Sequence, residues 1–222
     1  MIKPYSSKIV SELILITVSG PDKPAVTSAV TEVLARNHAN ILDIGQAVIH
    51  DRLSLGMLVQ VPDAGESAPT VKDILYRMHE IGMEVRFQPI TEQSYEEWVQ
   101  QQGKPRYIVT LLARQVTAEH IAAVTQVVAS HSLNIDNISR LSGRVPLDGL
   151  TETSKACVEF SCRGHVANLS QLRKTLAELS SRFDIDVAFQ EDSIFRRNRR
   201  LVCFDMDSTL IEAEVIDELA KA

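Results

Sequence analysis

Apolar positions along this chain change period several times, and each change marks an element. Leu13-Ile-Leu-Ile-Thr-Val18 is a run of strong β formers that stops at Gly20-Pro21-Asp22, a turn signal. From Pro24 onward the apolar residues fall at Val26, Val30, Val33 and Leu34, the spacing of one buried helical stripe, and the pattern fades at Asn37-His38. Ile41 to Ile49 is again β-rich. Leu53, Leu55, Met57, Val59 and Val61 then alternate with mostly small or polar residues as a half-buried strand does, with Asp51-Arg52 as the hairpin between the two strands. Val71, Ile74, Leu75 and Met78 predict a second helix ending near Gly82, and Met83 to Gln88 reads as a fourth strand. The order is βαββαβ.

The same order recurs. A shift of 94 residues lays Ala29-Val-Thr-Glu-Val-Leu-Ala35 on Ala123-Val-Thr-Gln-Val-Val-Ala129 without a gap, Asn40-Ile41 on Asn134-Ile135, Ile44 on Ile138, and Leu13–Val18 on Tyr107–Leu112. The second copy carries a longer hairpin at Ser142–Ser154 and a strand with Ala156, Val158, Phe160 and Cys162 on one face. In its last helix Leu169, Leu172, Leu176, Leu179 and Phe183 step by three and four, so one face must be covered by a sheet. A βαββαβ unit packs both helices on one face of a four-stranded antiparallel sheet, the ferredoxin-like arrangement of the α+β class, and leaves the other face open. The expected division is a first unit over 8–90, a polar, helical linker over 91–105 with Tyr95 and Trp98 as packing anchors, a second unit over 106–192, and a further segment over 200–222.

Composition narrows the setting. With 45% apolar and 23% charged residues the 222-residue chain is globular, and 23 Lys and Arg against 29 Asp and Glu give it a net charge of −6, which offers nucleic-acid phosphates no global attraction. The cationic run Arg196-Arg-Asn-Arg-Arg200 is read as a solvated connector, since a basic footprint normally spreads over a face. The three cysteines have no paired CxxC spacing, and no window approaches the roughly 20 apolar residues of a membrane span. No nucleic acid, no membrane and a reducing cytoplasm are the expectations.

The tandem units resemble ACT domains, the small regulatory modules of amino-acid enzymes, through Gly20-Pro-Asp22-Lys-Pro24 and the Asn40-Ile41 turn into the second strand. That resemblance implies an effector site, for an amino acid such as serine, at Gly20, Asp22 and Asn40, and a homodimer. Ala25 stands where the family usually has glycine, and the second copy reads Arg114-Gln-Val-Thr117 with no glycine at all. Because a Cβ restricts positive φ and close approach, the role of the repeats divides between amino-acid binding and dimerisation.

The tail holds a different chemistry. Leu201-Val-Cys-Phe204 suits a buried parallel strand, and Asp205-Met-Asp207-Ser-Thr follows at once. In an open α/β sheet, sites form beyond the carboxyl ends of strands. Residues two apart in an extended segment point to the same side, roughly 6 to 7 Å from one another, so two carboxylates face one pocket. Such a pair calls for a cation or a shared proton, and hard Mg²⁺ accepts carboxylates together with phosphate oxygens.

The stretch Asp205 to Ala220 resembles motif one of the haloacid dehalogenase superfamily, and in particular its phosphoserine phosphatase family. The resemblance implies Asp205 as nucleophile and Mg²⁺ ligand, and Asp207 as general acid/base with its main-chain carbonyl on the metal. It implies Glu214 near the amino group of O-phosphoserine. Other small phosphomonoesters stay open as substrates. A phosphate-binding Ser or Thr, a Lys and a later acidic pair have no counterpart before Ala222, so residues 200–222 are expected to be the start of an incomplete α/β domain, poorly packed and without turnover alone.

Overall fold

Burial that alternates along strands and recurs every three or four residues along helices builds the first unit. The computed structural model describes residues 11–62, 67–144, 155–193 and 215–221. β1 (Glu12–Pro21), α1 (Val26–Arg36), β2 (Asn40–Ile49), β3 (Arg52–Val61), α2 (Ser67–Glu80) and β4 (Glu84–Ile90) follow in the predicted order. They form an antiparallel sheet in the order β2-β3-β1-β4. Ile14, Ile16 and Val18 of β1 and the five alternating apolar residues of β3 pack under Val30, Val33 and Leu34 of α1 and Ile74 and Met78 of α2. Each such side chain, fully buried, contributes roughly 1.5–3 kcal/mol. Leu75 departs from its expected place in the stripe: it is exposed, being one position round the helix from Ile74.

The stretch expected as a linker contains α3 (Glu92–Gln102), and the chain divides into two compact units between Gln102 and Gly103. The second unit runs β5 (Arg106–Ala113), α4 (Ala118–Ser130), β6 (Leu133–Arg140), β7 (Ala156–Gly164), α5 (Leu169–Phe183) and β8 (Asp186–Glu191), with sheet order β6-β7-β5-β8. Its core joins Tyr107, Val109 and Leu111 to Val158, Phe160 and Cys162, beneath Val124 and Val128 of α4 and Leu172, Leu176 and Leu179 of α5. Desolvation, and next the charge of Asp136, push the Cys162 thiol up to about 11, so it stays protonated as a core side chain.

The gapless shift of 94 fails in one strand. Ile44 pairs with Met57 as Ile138 pairs with Phe160, which keeps that offset for the edge strands. In the centre, however, Met57 lies opposite Ile16 while Phe160 lies opposite Val109, an offset of 93. A slip of one residue exchanges the two faces of a strand. At 94, the buried Ile14, Ile16 and Val18 would have met Ile108, Thr110 and Leu112, which lie on the opposite face from Val109 and Leu111. The second copy takes up one extra residue between its first strand and first helix.

Of the tail, α6 (Val215–Lys221) is described, with Ile216 and Leu219 exposed. The expected strand at Leu201–Phe204, the arginine run and most of the Ser142–Ser154 hairpin lie outside the described residues. No helix among the described residues is long and apolar enough to cross a membrane.

Candidate functional site

The β1–α1 loop of the first unit is tied down at both ends. Gly20 pairs with Leu53, and a Cβ there would come within 2.6 Å of Met83 Sδ and 2.9 Å of Met83 Cε, so the buried methionine fills the space a side chain would need. Asp22 N donates to the Asp51 carbonyl at 2.7 Å, lacing the loop to the β2–β3 turn. In that turn His50 Nδ1 lies 2.8 Å from Asp51 Oδ1, and this hydrogen bond is the main reason the fully exposed Asp51 carboxyl sits below its usual range. The Lys23 ammonium donates to the Ile81 carbonyl beside Gly82, whose φ of 66° is the left-handed region.

Ala25 ends the loop with φ 73° and ψ 4°. A left-handed conformation suits glycine, so alanine holds this position at a cost. Ala25→Gly is expected to stabilise the chain by about 0.5–1 kcal/mol, read as a higher denaturant midpoint at unchanged slope. Among the described residues no side chain caps α1, so its first-turn amides have no side-chain partner there. Just beyond, Thr27 Oγ1 donates to Gln46 Oε1 at 2.7 Å, fastening the helix start to β2.

The corresponding loop of the second unit is closed by its own residues. Thr117 is extended, its Oγ1 accepts from His120 N at 3.2 Å, and Thr117 N donates to His120 Nδ1 at 3.3 Å. This reciprocal cap occupies the helix start. Its sequence trace is a Thr-x-x-His spacing, which lacks the usual Glu or Gln partner and so does not stand out along the chain.

Of the residues anticipated for the first loop, Gly20 and Asp22 stand together and Asn40 does not. Asn40 pairs with Gln60 at the far end of β3, where its Nδ2 donates to Gln60 Oε1 at 3.3 Å. Gln60 is opposite Leu13, seven residues along β1 from Gly20, which is about 23 Å of strand. Asp205, Asp207 and Glu214 lie outside the described residues, and among the described residues no three His, Cys, Asp or Glu side chains are gathered to hold a metal ion.

ACT-domain family models match residues 12–88 and again 106–190, the two βαββαβ units just described. The chain carries two ACT domains in tandem. It is 35% identical over 208 residues to the phosphoserine phosphatase SerB2 of Mycobacterium tuberculosis, covering 93% of this chain and 47% of that protein. It is 30% identical over 207 residues to the phosphoserine phosphatase of Streptomyces coelicolor, again covering 93% of this chain and 47% of that protein. The chain thus spans about half the length of the curated relatives it matches. A crystal structure of an unknown protein from Galdieria sulphuraria aligns with TM-score 0.65 at 15% identity, over 82% of this chain and 99% of that one, a likeness of fold. The two ACT domains therefore share one architecture and differ at the loop: open helix amides in the first, a self-made cap in the second.

Proposed function

We propose that this chain is the regulatory ACT region of a phosphoserine phosphatase whose catalytic domain opens near residue 200 and carries Asp205-Met-Asp207 as its first motif. The observation that carries the reading is collinearity. The match to the mycobacterial phosphatase runs through both ACT domains as one alignment of 208 residues, rather than stopping at a single domain. On this reading an oxygen of Asp205 attacks phosphorus of O-phosphoserine and the bond from phosphorus to the serine oxygen breaks. Asp207 protonates the departing oxygen, then takes a proton from the water that hydrolyses the aspartyl phosphate. On the same reading Glu214 would meet the substrate amino group. The donor set of carboxylate and main-chain oxygen around Asp205 and Asp207 is the hard oxygen chemistry that suits Mg²⁺, which when bound offsets charge on the phosphoryl oxygens. The reading is tested by assaying the full-length gene product on O-phosphoserine against other small phosphomonoesters. Activity on the others alone would replace the substrate.

For regulation, the first domain is the one fitted to an amino-acid effector such as serine, because its α1 amides lack a side-chain cap while Thr117 and His120 seal the second domain's helix. Calorimetry with serine reads this directly. Heat is expected, and its absence together with a concentration-dependent dimer would leave assembly as the role of the repeats.

Assembly has its own support. β2 and β6 are edge strands, and each exposes an isoleucine at the equivalent position, Ile44 at 49% and Ile138 at 51% of full accessibility. Unpaired edges with exposed apolar residues favour pairing with another edge. Introducing Ile44→Lys and Ile138→Lys together is expected to weaken self-association by about tenfold or more, measured by sedimentation velocity. An unchanged oligomer mass would remove these edges from the homodimer. A cytoplasmic setting is part of the same proposal.

A further inference from the structure

The outer face of the first ACT sheet, away from α1 and α2, is not bare. α3 lies beside it, and Leu15, Leu58 and Ile90 of the sheet together with Ser94, Tyr95 and Trp98 of α3 line a hollow of about 240 Å³. The Tyr95 and Trp98 rings stand 5.9 Å apart with their planes tilted by 36°. Among the described residues one acidic side chain, Asp43, joins the lining. It leaves β2 immediately after the irregularity between Ile41 and Asp43 in the ladder with β3, the kind of bulge that re-aims a side chain. Asp43 Oδ1 accepts from Ile44 N at 3.0 Å, and among the described residues Oδ2 has no protein partner. The equivalent residue of the second domain, Asn137, is neutral and donates to Ser139 Oγ at 2.9 Å.

We propose that this hollow binds a small organic cation, an ammonium group carried on a compact apolar body. The ammonium sits at Asp43, and the body lies between the Tyr95 and Trp98 rings and the Leu15, Leu58 and Ile90 floor. Aromatic faces attract cations, and a carboxylate beside them fixes the sign of the ligand. α3 itself carries Glu92, Glu96 and Glu97 and no Lys or Arg, so the helix adds a negative field that disfavours anions near it. Size sets the rest: a 150 Å³ apolar cavity holds benzene, so this volume suits a body of about ten non-hydrogen atoms and excludes a peptide helix. Among the described residues no cation lines the hollow to receive a carboxylate, so an amine is preferred to the corresponding amino acid. The proposal is therefore independent of the effector reading of the β1–α1 loop.

Trp98 is the sole tryptophan of the chain, so fluorescence excited selectively at tryptophan reports on this hollow. The probes are 2-phenylethylammonium, the neutral 2-phenylethanol of matching size, and phenylalanine, each titrated into the whole chain. A saturable Trp98 response to the cation is expected, at least about tenfold tighter than to the alcohol or to phenylalanine. Asp43→Asn is expected to weaken the cation by about tenfold while leaving the alcohol unchanged, with thermal unfolding confirming an intact fold. The proposal is overturned by no saturable response to the cation, by equal binding of cation and alcohol, or by an Asp43→Asn variant that binds the cation as the wild type does.

Discussion

Replacing Asp205 by Asn in the full-length protein is expected to reduce phosphate release from O-phosphoserine by at least ~10³-fold, because the amide keeps the shape of the carboxylate and loses its nucleophilic oxygen charge. The chemistry assigned to the tail predicts which parameter falls. An acid that forms the covalent intermediate acts in the reaction step, so kcat should collapse while any measurable KM changes little. Asp207→Asn should also suppress turnover, since it removes the proton donor for the leaving serine oxygen. Glu214→Gln should act differently, spending its effect on the preference for phosphoserine over phosphomonoesters without an amino group. Phosphate release that survives Asp205→Asn would detach the Asp205-Met-Asp207 motif from catalysis and leave the ACT pair as the only function of this region.

Gly164→Ala is expected to destabilise the second ACT domain by about 3 kcal/mol or more, seen as a large fall in the denaturant midpoint. Gly164 ends β7 with φ 153°, where its backbone pairs with Leu133 and its N donates to the Pro105 carbonyl at 3.0 Å. A Cβ built there lies 2.4 Å from the Ser132 carbonyl oxygen and 3.3 Å from Leu133 Cα. Both are backbone atoms. Relief would require moving the turn from α4 into β6, where Ser132 is itself left-handed at φ 59°. Gly20→Ala makes the informative contrast, since the atoms its Cβ would meet nearest belong to the flexible end of Met83. A Gly164→Ala variant within about 1 kcal/mol of wild type would show that the α4–β6 turn yields, contrary to this geometry.

Much of the architecture was legible along the chain. The alternation from Leu53 to Val61 and the three-and-four spacing from Leu169 to Phe183 each named the buried face of a strand or helix, and the structure buries those faces. The same reasoning misplaced the second copy's first strand, because helix similarity fixes an alignment over the helix and says nothing about a residue inserted before it. Gly20 stands at a strand end as part of a turn signal, yet its constraint comes from Met83, more than sixty positions away. Ala25 departs from the glycine usual in the family, and its φ of 73° gives the physical meaning of that departure. The Thr117–His120 cap and the hollow at Asp43 had no sequence signature strong enough to single them out.

By itself the sequence determined the repeated βαββαβ order, the apolar face of nearly every element and the acidic motif at Asp205 and Asp207. These are properties of spacing, and a strand or helix converts spacing into a shared face wherever it lies. Only the tertiary structure decided that Asn40 stands about 23 Å of strand from Gly20, that β5 is offset by one residue, and that α3 brings Tyr95 and Trp98 to Asp43. Those outcomes depend on how many residues a turn consumes and on which distant strand pairs alongside, quantities that no local period records.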